Sequence, residues 1–529
     1  MHEAEIIELV LGLLVVVALA VTVSRRVGIP YPILLVALGI VIGFVPGMPQ
    51  VDLGPDLVFL LFLPPILFAA GFFTSIRDFR ANLRPILLLA IGLVLVTTLA
   101  VGVVMHALVP SMGWAAAFAL GAIVSPPDAV AATSIAQRLG LPRRAVTVLE
   151  GESLVNDATA LVALRFAVAA ALTGVFSVGD AVVTLGVVAV GGVLIGLAVG
   201  LAAAWLLGRL TDPPVEVLVS MLLPFAAFLP AEQLGFSGVL AVVTAGILIG
   251  YRAPHIMSSE TRILGSGAWQ MLLFLLNGLI FILIGLQLPS IMTRLSDYPT
   301  ADLALYAVAV SVTVIAVRIL WIFPATYLPR RLSAGLRARD PAPPWQAVLV
   351  IGWAGMRGVV SLAAALSLPL TLPSGEAFPE RALIIFLTFV VILVTLVGQG
   401  LTLPLLIKRL GVADGGGGDH EEAHARDAAV RAAGSRIEEL AIEWPQHEEL
   451  IAQLRTQYGH RAEHLVDHHS EDPTDELERE LLDHRIIRRA VIDAERDAVI
   501  ALRDRGSISD EALRRVERDL DLEELRLEA

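Results

Sequence analysis

Run after run of about 20 apolar residues, each roughly the length of helix that crosses a bilayer core of about 30 Å, decides which solvent this chain folds in. Stretches such as LVLGLLVVVALAVTV, ILLLAIGLVLVTTLAVGVV and LIIFLTFVVILVTLVG are apolar on every face, not along one stripe. A soluble chain would alternate or keep its apolar residues to one side of each helix. In hydrocarbon no water is at hand to satisfy the backbone, so each run must bond itself as a helix. With 56% hydrophobic and only 17% charged residues, the chain is predicted to be an all-α polytopic membrane protein. The absence of cysteine excludes disulfides, thiolate catalysis and cysteine-bound metals.

Charge is unevenly spread. Residues 1–410 carry 22 Lys and Arg against 20 Asp and Glu, a net +2, whereas residues 411–529 carry 16 against 31, a net −15. A near-neutral membrane body, 1–410, is therefore followed by a glycine-rich linker, 411–420, and an acidic helical tail, 421–529, which reads as a cytoplasmic regulatory or oligomerising module. Such a tail argues against nucleic acid as a partner and against docking of the tail on anionic lipid.

Thirteen apolar segments are expected, centred near Leu14, Leu38, Leu63, Leu93, Leu120, Ala160, Val193, Leu222, Thr244, Ile280, Val312, Gly358 and Phe389. Their loops alternate in character. SRR, RDFRANLR, QRLGLPRR, GRLTD, YRAPHIMSSETR, PRRLSAGLRAR and KR hold 17 of the 22 cations of the body. The opposite loops have Asp52, Asp56, Asp180, Glu232 and only Arg294 and Arg381 as cations. Cationic loops stay cytoplasmic, which places the amino terminus outside and the tail inside, in the cell inner (plasma) membrane. Ala18-Leu19-Ala20 mimics a signal-peptide cleavage site, but no cationic leader precedes it, and it reads as a retained helix.

Six helices, a spacer and six more would run the second set opposite to the first, as two inverted six-helix repeats. Helix breakers at matching places agree with this. Segment five contains AIVSPPDAVAA, and Pro126-Pro127 cannot continue a regular helix. Segment twelve contains IGWAGMRGVVS, with three glycines and an arginine at membrane depth. Both segments are predicted to unwind near the midplane, which lipid tolerates only around a cavity or against protein.

Few charges lie inside the bilayer: Asp128, Glu152, Asp157, Arg165, Arg318 and Arg357. Each costs from about 2.5 to more than 10 kcal/mol at bilayer centre unless compensated. Glu152 with Arg357 is the expected structural pair, and Arg318 is expected to snorkel or to pair. Asp157 reads differently. Ser153 lies four residues before it on the same helical face, and Glu152 and Asn156 share the adjacent face. Together with Asp128 and the open carbonyls of segment five, Ser153 and Asp157 present hard oxygen, the donor type for a small alkali cation. Desolvation favours the neutral form of any carboxylate, so such a group holds either a proton or a cation, which suffices for antiport. Asn156 would hold the break in segment five or complete the site.

SPPDAVAA, LEGESLVNDATALV and GMRGVVSLAAALSLP, with LFLPPILF upstream, resemble the bacterial sodium/proton antiporters of the monovalent cation:proton antiporter-1 family, over roughly residues 5–410. The resemblance implies that Asp157 carries cation and proton beside Asn156, that Asp128 is the aspartate of the unwound helix, and that Arg357 is the arginine of the GLRG-like motif. It also implies a homodimer with an elevator-like core and electroneutral exchange of sodium for protons, with no cofactor. Family members often carry a glutamate where this chain has Ala69, which leaves sodium against potassium or lithium open. Two rivals are weaker. An intramembrane aspartyl protease would need a glycine-x-glycine-aspartate motif that is absent, and a passive cation channel would not need inverted halves. In the tail, His460, His464 and His468 recur every four residues, as a solvated face or, less simply, a pH sensor or metal site.

Overall fold

The computed structural model describes residues 3–27, 29–46, 58–173, 178–295, 298–372, 375–412, 417–467 and 489–502, with a few positions beyond. Asp52, Asp56, His468 and the side chains of Asp180, His460 and His464 lie outside the described residues. Among the described residues the chain is helical, apart from one β-bridge between Thr371 and Ala377. Eight helices there are long and apolar enough to cross a membrane, and four shorter apolar helices accompany them.

With three short helices beside the breaks, the helices of the body named below are, in chain order, α1 (Glu3–Val27), α2 (Tyr31–Gly43), α3 (Leu63–Phe73), α4 (Leu83–Leu108), α5 (Trp114–Val124), α6 (Ala129–Arg138), α7 (Arg143–Thr173), α8 (Val178–Leu207), α9 (Pro213–Gln233), α10 (Gly238–Ile256), α11 (Ser259–Leu286), α12 (Thr300–Leu332), α13 (Trp345–Trp353), α14 (Val359–Leu366) and α15 (Arg381–Leu410). Their ends follow local chemistry. Ser237 and Ser258 cap α10 and α11 by accepting from the amides of Leu240 and Thr261. Pro30, Pro299 and Pro344 precede α2, α12 and α13. Gly411, with φ of 61°, ends α15 in the left-handed conformation that glycine adopts freely.

Packing sorts the helices into two groups. In the first, α10 lies against α3, α8 and α9, and α11 lies against α1, α2 and α9. In the second, α5 packs on α4 and α7, α12 on α4 and α13, and α15 on α12, α13 and α14. Burial of apolar area gains nothing between helices already in lipid, so close van der Waals approach at small residues must hold them. The crossing of α2 and α11 shows this: a methyl group on Gly39 would strike the carbonyl of Ile282, and one on Gly285 the carbonyl of Val36.

Contacts divide the chain into two units, Met1–Gly415 and Gly416–Ala529. In the second, α16 (Gly417–Glu443) and α17 (Glu448–Asp467) pack together. Ile437 and Ile451 are buried in that unit, and Arg455 donates to Glu438 across the pair at 2.8 Å.

Candidate functional site

The two breakers predicted from sequence fall in one place. The chain leaves helical form between Val124 and Ala129, and again between Trp353 and Val359. The two open segments are bonded to each other, the amide of Asp128 donating to the carbonyl of Met356 at 2.7 Å. Each break exposes a helix end of each sign: unsatisfied carbonyls where α5 and α13 stop, unsatisfied amides where α6 and α14 start.

Each sign is met by a side chain of opposite charge. The Arg357 guanidinium, 1% exposed, donates from Nε to the carbonyl of Val124 at 3.0 Å and also to the carbonyl of Gly355. Its backbone amide donates to Thr395 Oγ1 on α15 at 3.0 Å. At the amide ends, Asp128 Oδ1 accepts from the Val130 amide at 2.8 Å. Asp128 Oδ2 lies so close to Gly358, the residue before α14, that a Cβ there would overlap it. An anion at two helix amino ends is the arrangement their dipoles favour.

The structure corrects the expected pairing of Glu152 with Arg357. Glu152 on α7 pairs with Arg318 on α12, through Nη1 to Oε1 at 2.5 Å and Nη2 to Oε2 at 2.9 Å, both side chains 1% exposed or less. Arg318 therefore pairs in the interior and does not snorkel. The geometric reason is that Arg357 is already committed to carbonyls of the breaks. Arg165, further along α7, pairs with Glu232 on α9 at 2.7 Å with both side chains partly exposed.

Asn156 Nδ2 donates to the carbonyl of Pro127 at 2.8 Å, so the amide braces the first break. Its Oδ1 is buried without a partner among the described residues. Asp157 is 6% exposed and lines a cavity of about 720 Å³ with Ser153 and Asp128. Among the described residues no arginine or lysine pairs with Asp157 or Asp128. The cavity lies between the two helix groups: Leu63, Ala69, Asn277 and Phe281 come from one, Ser153, Asp157 and Ser361 from the other. It reaches Ser75, Asp78 and Arg143, at the end that carries the cationic loops. Asn277, Tyr31 and Ser361 were not singled out from sequence. Asn277 interrupts the run FLLNGLIF, which is a readable signal; Ser361, whose buried Oγ has no partner among the described residues, looks like any small residue of a packed helix.

Two broken helices bonded to each other beside a buried carboxylate, with a cavity between two helix groups, are the architecture of a secondary transporter. The sequence pattern described as sodium/hydrogen exchanger, transmembrane, matches residues 12–409, and the chain belongs to that family, one of transporters and not of enzymes. It is 34% identical over 552 residues to the uncharacterized Na(+)/H(+) exchanger YjcE of Escherichia coli, with 98% of each chain covered. It is 37% identical to the sodium, potassium, lithium and rubidium/H(+) antiporter of Bacillus pumilus over 77% of this chain and 62% of that protein. The fold is similar to that of the sodium proton antiporter MjNhaP1 from Methanocaldococcus jannaschii at a TM-score of 0.62, with 21% identity, covering 78% of this chain and all of that one.

Proposed function

We propose that this protein exchanges sodium for protons across the cell inner membrane, with Asp157 holding either ion in turn. The observation that carries the reading is a buried carboxylate, unpaired with any cationic side chain among the described residues, facing a cavity beside two broken helices. A buried charge without a partner costs several kcal/mol, so the group must take up a proton or a metal cation to remain there. Ser153 and Asp128 add oxygen donors, and Asn156 keeps the first break open. Glu152, Arg318 and Arg357 are scaffold charges. Family membership and the names of the relatives support sodium/proton exchange as the activity.

Alternating access follows as the mechanism. A second cavity, of about 670 Å³, contains Arg165 and Glu232 and shares Phe59 and Leu63 with the first. Asp157 thus faces one cavity while those apolar side chains separate it from the other. In this reading thirteen spans form two inverted six-helix repeats, with the amino terminus outside and the tail, residues 421–529, cytoplasmic. The protein is a homodimer and the exchange is electroneutral. Potassium is the competing cargo, because Ala69 lines the cavity where a glutamate would add a ligand charge.

Purified protein in liposomes with an acid interior and a pH dye tests this. Sodium, potassium or lithium added outside should drive proton efflux, and the order of responses ranks the cations. Asp157→Asn removes the exchangeable proton at nearly constant shape and is expected to abolish efflux while the protein stays folded. Efflux retained in the variant would remove Asp157 from its role; a membrane potential without proton movement would make the protein a channel.

A further inference from the structure

At the end of the helices that carries the cationic loops, three guanidinium groups gather on one carboxylate. Asp340, between α12 and α13, accepts from Arg84 at 2.9 Å, from Arg144 at 2.7 Å and from Arg330 at 2.7 Å. Burial pushes the Asp340 carboxyl up, but hydrogen bonds and charge from Arg144 and Arg330 outweigh it and hold it below the usual carboxylate range. It is therefore ionised at neutral pH, and three cations against one anion leave the cluster at +2.

The donors are in excess as well. Arg84 Nε and Nη1 are buried and have no acceptor among the described residues. Arg144 uses Nε on Asn82 and Nη2 on Asp340, and its side chain is 43% exposed. Beside this cluster lies a cavity of about 590 Å³ with Arg144 and Arg330 in its lining. Apart from Thr326, Gln346 and the two arginines its walls are apolar, with Leu89 of α4, Val148 of α7, Ile322 of α12 and Val348 of α13. Leu83 and Leu87 on α4 and Leu405 on α15 are exposed nearby in sequence, as lipid-facing residues are.

We propose that this cavity binds an anionic phospholipid, with an acyl chain against the apolar walls and the phosphate on Arg144. A soluble anion would use the guanidinium groups but has no use for the apolar walls. A neutral lipid would use the walls but leave the positive charge unmet. Basic pockets between helices on the cytoplasmic side are suited to acidic headgroups. The inference rests on the membrane assignment and not on which ions are exchanged.

Full-length protein in nonionic detergent should retain phosphatidylglycerol in native mass spectra and unfold at a higher temperature with it than with phosphatidylcholine. Arg144→Ala should weaken phosphatidylglycerol retention roughly fivefold, the share of one cation near a membrane surface. Ala325→Phe fills the cavity with every arginine in place and should expel the lipid as well. Millimolar inorganic phosphate should give no thermal shift. Equal retention of the two lipids by the wild type, or unchanged phosphatidylglycerol binding in Ala325→Phe, overturns the proposal. A thermal shift from phosphate equal to that from phosphatidylglycerol makes this a free-anion site instead. Should Arg144→Ala not fold, the filled-cavity variant and the headgroup comparison still decide.

Discussion

A guanidinium at membrane depth has two ways to stay there, and this chain uses both. Arg318 is neutralised by a carboxylate held in two parallel hydrogen bonds, while Arg357 is spread over carbonyls at helix ends. Losing one partner of a buried ion pair leaves the other uncompensated, at about 3–5 kcal/mol. Glu152→Gln and Arg318→Gln are each expected to lower thermal stability in detergent by that order, with exchange falling as folded protein is lost. Joint replacement by Glu152→Leu and Arg318→Met should regain most of the midpoint, because apolar residues of similar volume can replace a buried pair. A double variant less stable than either single one would contradict this account. The identity of the partners was not legible in sequence. Glu152, Arg318 and Arg357 were all marked as charges in an apolar setting, but which two meet depends on how α7 and α12 cross.

At the level of elements, the breaks matter more than the helices. α5 and α13 stop, α6 and α14 start, and the four ends are closed by Arg357, Asp128 and one backbone bond between Asp128 and Met356. Gly358 allows the Asp128 carboxylate to sit against the start of α14. Gly358→Ala should therefore push Asp128 from its place at an overpacking cost of about 1–3 kcal/mol. Proton efflux in liposomes should be lost or much reduced while gel filtration still shows folded protein. Gly12→Ala, with nothing near its added carbon among the described residues, is the neutral control. Normal exchange by Gly358→Ala would show that the contact has no functional weight. The breaks themselves were legible, since Pro126-Pro127 and the glycines around Arg357 cannot continue a helix. Their meeting point was not, because segments five and twelve are more than 200 residues apart.

For the whole molecule, the membrane body and the acidic tail have separate interiors. The body has large apolar clusters of its own, and the tail unit is held by the α16–α17 pair with exposed ion pairs such as Arg436 with Glu443. Exposed pairs of that kind contribute little, about 0–1 kcal/mol each. Ending the chain after Val412 should leave a body that purifies intact and exchanges ions, with its thermal midpoint unchanged. A body that aggregates without the tail would show that the tail is needed for stability, and one that exchanges with a displaced pH profile would give the tail a regulatory role.

By itself the sequence determined the solvent, the helical class, the breaks and the motif residues around Asp157. Each of these follows from local chemistry: backbone that lipid cannot hydrate, proline that cannot donate, a carboxylate that hydrocarbon does not tolerate. The tertiary structure alone decided that Glu152 meets Arg318, that Arg357 closes carbonyl ends, and that Ser361 and Asn277 border the same cavity as Asp157. It also brought Arg84, Arg144 and Arg330 onto Asp340. Those arrangements depend on the angles and distances at which helices far apart in the chain cross, and in lipid these are set by close packing at small residues, which leaves only a weak trace in a run of apolar letters.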